Sequence, residues 1–271
     1  MRIIVLAANK YSERALATIV ALCEAGHSPV GCLCVSTTNA YNLARKAAQY
    51  GTGSFLRYAV KRVGLLGNRT YLGAKAENSE FDTRVGGDRA SPSNLQEACR
   101  YFGIKLHYAN DVNGNRALSF LREQRPALII YTGGGILRSR LIELPTLGVI
   151  NAHSGLLPKY RGMNVTEWAL LNGDGTGITV HFIDPGIDTG RILFSRLVPI
   201  TIEDASIGML RQRIARATVA ALVDAVKVLA SGNAELINQD PADGKQYFVM
   251  HEKLLEVAER RFVRMSSAVD A

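Results

Sequence analysis

The chain has 271 residues, 47% of them hydrophobic, which is enough to bury a proper core and favours one large unit over a domain with an appendage. No stretch approaches the roughly 18 uncharged apolar residues of a membrane span, and Met1 to Leu6 runs straight into a strand-like pattern without a signal-peptide layout, so the cytoplasm is the expected location. The net charge of +8 is concentrated: no Asp or Glu falls between Glu24 and Glu77, while Arg45, Lys46, Arg57, Lys61, Arg62, Arg69 and Lys75 all do.

That basic interval suits a phosphate-bearing substrate, an anionic membrane surface or nucleic acid, with an ordinary solvated face as the plain alternative. No aromatic ladder or groove-reading motif accompanies it, so nucleic acid ranks last. Cys23, Cys32, Cys34 and Cys99 have neither the paired spacing of a zinc site nor the density of a disulfide scaffold, and are expected reduced and mostly buried, with no metal site.

In chain order, the β-branched run Arg2 to Ala7 predicts a strand, Asn9 to Ser12 a turn, and the apolar-periodic stretch to Leu22 a helix ending near Ala25-Gly26. Pro29 to Ser36 reads as a second strand. The interval 39–88 breaks the rhythm and is expected to be an inserted basic element. Ser91-Pro92-Ser93 caps a helix through Tyr101, Ile104 to Tyr108 is a strand, Asn113 to Gln124 a helix, and Ala127 to Thr132 a buried strand. Leu210 to Leu229 is a long helix, Asn238 to Val249 is mixed with a turn at Asp240 to Gly244, and His251 to Phe262 closes with an amphipathic helix. Strands alternating with helices predict a parallel α/β sheet.

Chemistry concentrates further along. Gly148 to His153 is strand-like, and residues two apart on a strand share a face, so Asn151 and His153 project together. At the carboxyl end of a strand in an open α/β sheet, an amide beside an imidazole can polarise a carbonyl, stabilise the oxyanion of an attack and pass a proton. Asp188, in the loop Asp184-Pro185-Gly186-Ile187-Asp188-Thr189-Gly190 after the strand Gly177 to Phe182, is the best candidate carboxylate for the pair. Read alone, His153 is a structural histidine, Asp188 a turn carboxylate, and Asn151 a strand end. Ser154 faces away from His153 and lacks a nucleophile elbow. Gly133-Gly134-Gly135 lacks dinucleotide-binding spacing and fits a tight turn. His181 reads as a supporting or packing residue, and Trp168 and Ala169 as core.

Asn151-Ala152-His153, Leu156 to Gly162, Trp168-Ala169, Gly173-Asp174, Thr176 to His181 and Asp188-Thr189-Gly190 are similar, in order and spacing, to the folate-dependent formyltransferase family. That family includes methionyl-tRNA, glycinamide ribonucleotide and amino-sugar formyltransferases. The resemblance implies a modified Rossmann fold, an α/β architecture with helices on both faces of the sheet, using 10-formyltetrahydrofolate as formyl donor. It assigns Asn151, His153 and Asp188 to the catalytic trio: Asn151 and protonated His153 would stabilise the oxyanion, and Asp188 would hold His153 and help remove the amine's proton. It also implies that Gly135, Ile136 and Leu137, with Asp184, Pro185, Gly186 and Ile187, hold the pterin mainly through backbone groups. The chain departs from the common pattern at His153-Ser154-Gly155 and at Gly133-Gly134-Gly135.

The expected layout is a catalytic domain over 1–205 with the insert at 39–88, and a C-terminal helical extension over 206–271 packed on it, its helices being candidate dimer elements. About 80 residues after Gly190 leave little room for the C-terminal barrel of the methionyl-tRNA enzyme. The place of the glycinamide ribonucleotide enzyme's phosphate loop reads Ala7-Ala8-Asn9-Lys10-Tyr11-Ser12. A small amine of a nucleotide-linked amino sugar is therefore the favoured acceptor, its phosphates meeting the basic insert. Methionyl-tRNA, glycinamide ribonucleotide, water (as in the formyltetrahydrofolate hydrolases) and a non-catalytic binding role are the alternatives.

Overall fold

The computed structural model describes residues 1–35 and 92–267. The basic interval 39–88 lies outside the described residues. Nine strands and seven α-helices are described: β1 (Ile3–Ala7), α1 (Glu13–Glu24), β2 (Gly31–Val35), α2 (Leu95–Tyr101), β3 (Lys105–Ala109), α3 (Asn115–Gln124), β4 (Leu128–Tyr131), α4 (Ser139–Ile142), β5 (Gly148–His153), β6 (Tyr160–Gly162), α5 (Val165–Asn172), β7 (Gly177–Phe182), β8 (Ile192–Leu197), α6 (Ile207–Ser231), β9 (Lys245–Tyr247) and α7 (Glu252–Ser267).

Seven strands form one sheet in the order β3-β2-β1-β4-β5-β7-β8. From β3 to β5 every pairing is parallel, whereas β7 runs antiparallel to both β5 and β8. The sheet is therefore mostly parallel, in keeping with the α/β fold that the strand-helix alternation predicts, with β7 as its one reversed strand. Between β5 and β7 come β6 and α5, and the chain re-enters the sheet at the end where β5 leaves it, so that His153 at the close of β5 pairs with Thr179 near the start of β7.

Alternate residues of β1 explain the two faces. Ile3, Val5 and Ala7 pack with Leu16, Ile19 and Val20 of α1 and with Leu210, Ile214 and Leu222 of α6, while Ile4 and Leu6 pack with Leu118, Phe120 and Leu121 of α3. Both faces of β1 are buried, as its unbroken apolar run requires. Ser12 begins α1 by accepting a hydrogen bond from the Ala15 N–H, satisfying one of the helix's free donors. Burying a side chain such as Ile19, which has no exposed surface, contributes about 1.5–3 kcal/mol.

Strand order reverses between β1 and β4, leaving a crevice outside their carboxyl ends. The chain leaves β4 there through Gly133-Gly134-Gly135, all at positive φ (133°, 129° and 107°), and a Cβ on Gly133 would lie 3.1 Å from the Ala8 Cβ. The Thr132 hydroxyl donates to the Leu6 carbonyl at 2.6 Å and ties the two strand ends together.

Beyond α6 the chain is not wholly helical. It forms a bridge between Ile237 and Ile192, a 3₁₀ turn at Pro241–Asp243, and β9, which pairs in parallel with β6. Helix α7 then packs on α5. No helix among the described residues is long and apolar enough to cross a membrane.

Candidate active site

Asn151 and His153 lie on the last turnless residues of β5, opposite His181 and Thr179 of β7 respectively. Cross-strand pairing puts Asn151 and His181 in contact, with the Asn151 Nδ2 donating to the His181 Nε2 at 3.3 Å. The other ring nitrogen of His181, Nδ1, donates to the Phe182 carbonyl at 2.8 Å, so a neutral ring leaves Nε2 free to accept. Burial chiefly, and His153 next, depress the His181 pKa to about 4, with Asp188 opposing. The ring is thus neutral at neutral pH and fixes which way the Asn151 amide faces.

His153 is 7% exposed. Its Nε2 donates to the Tyr160 carbonyl at 2.8 Å, and its Nδ1 faces the Asp188 Oδ2 across 3.6 Å. Burial lowers its pKa, while Asp188 and the Tyr160 carbonyl pull it back up and Arg14 lowers it further. A neutral His153 therefore presents an Nδ1 lone pair towards a carboxylate, an arrangement that a proton would convert into an ion pair.

Asp188 arrives from the loop between β7 and β8 in the left-handed conformation, φ 55°. Its Oδ2 accepts the Gly162 N–H at 2.9 Å, and its Oδ1 is 3.6 Å from the His181 Nε2. Gln239 clamps the loop by donating to the carbonyls of Asp188 (3.1 Å) and Gly190 (2.5 Å). Asp184 braces its start, its carboxylate accepting from the Gly186 N–H and the Thr189 hydroxyl.

The carbonyl that holds His153 is itself anchored. The Tyr160 ring is buried and stacks on Tyr247 of β9 at 5.3 Å, and its hydroxyl donates to Asp174. Burial and Asp174 push that hydroxyl's pKa up. Trp168 packs on the same Tyr247 and donates its indole N–H to the Phe248 carbonyl.

Two cavities, each of about 270 Å³, meet at Asn151. All seven residues expected to hold a pterin, Gly135, Ile136, Leu137, Asp184, Pro185, Gly186 and Ile187, line the first, together with Tyr131, Ile183, His181 and Asp188. The Tyr131 hydroxyl donates to the Gly135 carbonyl, and Asn113 holds both the Ile136 carbonyl and the Arg138 N–H. The second cavity contains His153, Arg14, Thr166, Glu167 and Arg211. Sequence reasoning missed Arg14, Glu167 and Gln239, none of which carries a motif, and gave His181 only a supporting part.

A family model described as "Formyl transferase" matches residues 1–226. The chain belongs to the formyl transferase family. Among curated proteins, the methionyl-tRNA formyltransferase of Kosmotoga olearia is 33% identical over 57% of this chain and 50% of its own length. That of Halothermothrix orenii is 29% identical over 74% of this chain and 64% of its own length. This chain thus spans half to somewhat under two thirds of the curated relatives. Solved formyltransferase structures share the fold. Glycinamide ribonucleotide transformylase 1 of Symbiobacterium toebii superposes with a TM-score of 0.55 at 19% identity, covering 89% of this chain and 94% of that one. The N-formyltransferase of Helicobacter canadensis, determined with folinic acid and dTDP-3-aminofucose, has a TM-score of 0.55 at 14% identity, covering 97% and 81%.

Proposed function

We propose that this formyl transferase moves a formyl group from 10-formyltetrahydrofolate to a primary amine, with a nucleotide-linked amino sugar as the preferred acceptor. The observation that carries this reading is the meeting of two cavities at Asn151, with His153 and Asp188 beside it. One cavity is available for the donor and the other for the amine, and the residue between them can donate to a carbonyl oxygen.

The first cavity fits a flat heterocycle. Ile136, Leu137, Ile183 and Ile187 supply apolar walls, and the segments 135–137 and 183–187 present backbone groups. In this reading Asn151, its amide orientation fixed by neutral His181, donates to the formyl oxygen as negative charge grows there. The amine's proton passes into the 3.6 Å gap between Asp188 and the His153 Nδ1, where the resulting imidazolium is held by the carboxylate and by the Tyr160 carbonyl. With both ring nitrogens so engaged, His153 supports the oxyanion by its charge, leaving the direct hydrogen bond to Asn151. As the oxyanion collapses, the bond between the formyl carbon and the folate N10 breaks and N10 takes up the proton that the amine gave to the His153–Asp188 pair, so the donor is consumed as a substrate and leaves as tetrahydrofolate.

The names of the curated relatives favour a second reading, methionyl-tRNA as acceptor. Purified protein incubated with 10-formyltetrahydrofolate and, separately, nucleotide-linked amino sugars, glycinamide ribonucleotide and methionyl-tRNA distinguishes them. Turnover of methionyl-tRNA alone would overturn the amino-sugar acceptor while leaving formyl transfer intact. We further propose that residues 206–271 act as a support for the catalytic domain over 1–205, since Gln239 and Tyr247 brace the Asp188 loop and the Tyr160 segment.

A further inference from the structure

We infer that Arg14 is a positioning residue of the site: its guanidinium tethers the carbonyl between Asn151 and His153 and sets a fixed positive charge there that leaves the His153 ring free to take the amine's proton. The hydrogen bond from the Arg14 Nη2 to the Ala152 carbonyl, 2.6 Å long, carries this reading. Ala152 joins Asn151 to His153, and all three line the second cavity together with Arg14.

Local forces do not account for this arginine. It lies in the first turn of α1, where the positive end of the helix dipole disfavours a cation. Its Nε is buried without a partner, and among the described residues no carboxylate pairs with it. Burial lowers its pKa to about 10, with Tyr131 opposing, so it stays charged at neutral pH. A desolvated guanidinium without a counter-charge costs stability. Its side chain's one hydrogen bond among the described residues ends at Ala152, 138 positions away.

His153 is approached from several elements. Asp188, after β7, faces its Nδ1 at 3.6 Å, and the Tyr160 carbonyl of β6 accepts from its Nε2. The His181 ring of β7, held neutral chiefly by burial, lies edge-on with ring centres 6.2 Å apart. Glu167 of α5 and Arg211 of α6, in the same cavity, are paired with each other. Burial foremost, and Arg14 with it, favour the neutral ring, whereas Asp188 and the Tyr160 carbonyl favour the imidazolium. Without the Arg14 charge the pull of Asp188 is less opposed, and the ring fills with a proton from water before the amine can supply one. This inference rests on the proton path proposed above, but its test does not depend on turnover.

Histidine-ring NMR follows the titration of His153, identified among the chain's five histidines by the signal lost in His153→Gln. Arg14→Gln keeps a donor for the Ala152 carbonyl and removes the charge; Arg14→Met is a second charge-removing variant should the first fail to fold. In either, the His153 titration should move to higher pH, and in Arg14→Lys it should stay close to the parent's. In step with this, the charge-removing variant should lose about tenfold or more in kcat at about pH 6.5 and less at about pH 8, with Arg14→Lys recovering most of the loss. A folded charge-removing variant whose His153 titrates as in the parent overturns the inference. So does an equal upward shift in Arg14→Lys, which would make the effect one of shape and not of charge. A titration that shifts as expected in a protein that formylates no amine would uphold the action of Arg14 on His153 and remove the formyl-transfer reading instead.

Discussion

Replacing Asp188 by Asn removes one negative charge while keeping an oxygen for the Gly162 N–H. The Asp188 carboxylate stands 3.6 Å from the His153 Nδ1. At an effective dielectric of about 20, unit charges at that distance attract by about 4.6 kcal/mol. This attraction is absent while His153 is neutral and appears once it takes a proton, so it acts on the transition state and not on ground-state binding. Every 1.36 kcal/mol is about tenfold in rate, and Asp188 is 18% exposed, so solvent absorbs part of the effect. The expected fall in kcat is about a hundred- to thousandfold. Steady-state tetrahydrofolate release measures it, with the donor KM and the thermal melt as controls that should stay near those of the parent. A folded Asp188→Asn variant with kcat within about tenfold of the parent would refute the assignment of proton handling to this pair.

Further outcomes follow from the same geometry. His181 is held at a folded-state pKa of about 4 against about 6.5 unfolded, so the unfolded chain binds the extra proton first as pH falls. Stability should therefore decline between about pH 6.5 and 4, by roughly 3 kcal/mol from this group. Urea denaturation of the parent and of His181→Gln at both ends of that window should show a flatter profile in the variant; identical slopes would contradict it. Gly162 has φ 96°, and a Cβ there would collide with the Tyr247 carbonyl. Gly162→Ala should lower stability by at least about 1–3 kcal/mol and reduce kcat by displacing the N–H that holds Asp188, whereas an unchanged melt would count against the close packing of β6 on β9. Ile136 is 73% exposed on the rim of the first cavity. Ile136→Ala should raise the donor KM several-fold with stability within about 0.5 kcal/mol of the parent, and an unaltered donor KM would move the donor away from that rim.

Much of the fold is legible from local pattern. The apolar runs of β1 and β4, the polar turn of Asn9 to Ser12 before α1 and the periodicity of α6 specify their elements within a few residues. Asn151 and His153 are legible as a pair because strand geometry acts over two residues. Asp188 is not, because its approach to His153 depends on β7 lying antiparallel beside β5, a pairing encoded by no local motif. Its link to the pair came through family resemblance. Arg14 meets Ala152 across 138 positions of chain, and Glu167 reads in sequence as an ordinary first-turn helix carboxylate. Its ion pair with Arg211 of α6 spans 44 positions of chain. Gln239 lies in a stretch whose mixed pattern conceals that it steadies the Asp188 loop.

The central claim is tested most directly by giving the purified protein 10-formyltetrahydrofolate with an isotopically labelled formyl carbon, together with the amine panel, and following the label by mass spectrometry. The account predicts label on the amine of a nucleotide-linked amino sugar, and its loss in a folded Asn151→Ala variant. Label recovered only as formate, or undiminished transfer by Asn151→Ala, would contradict it.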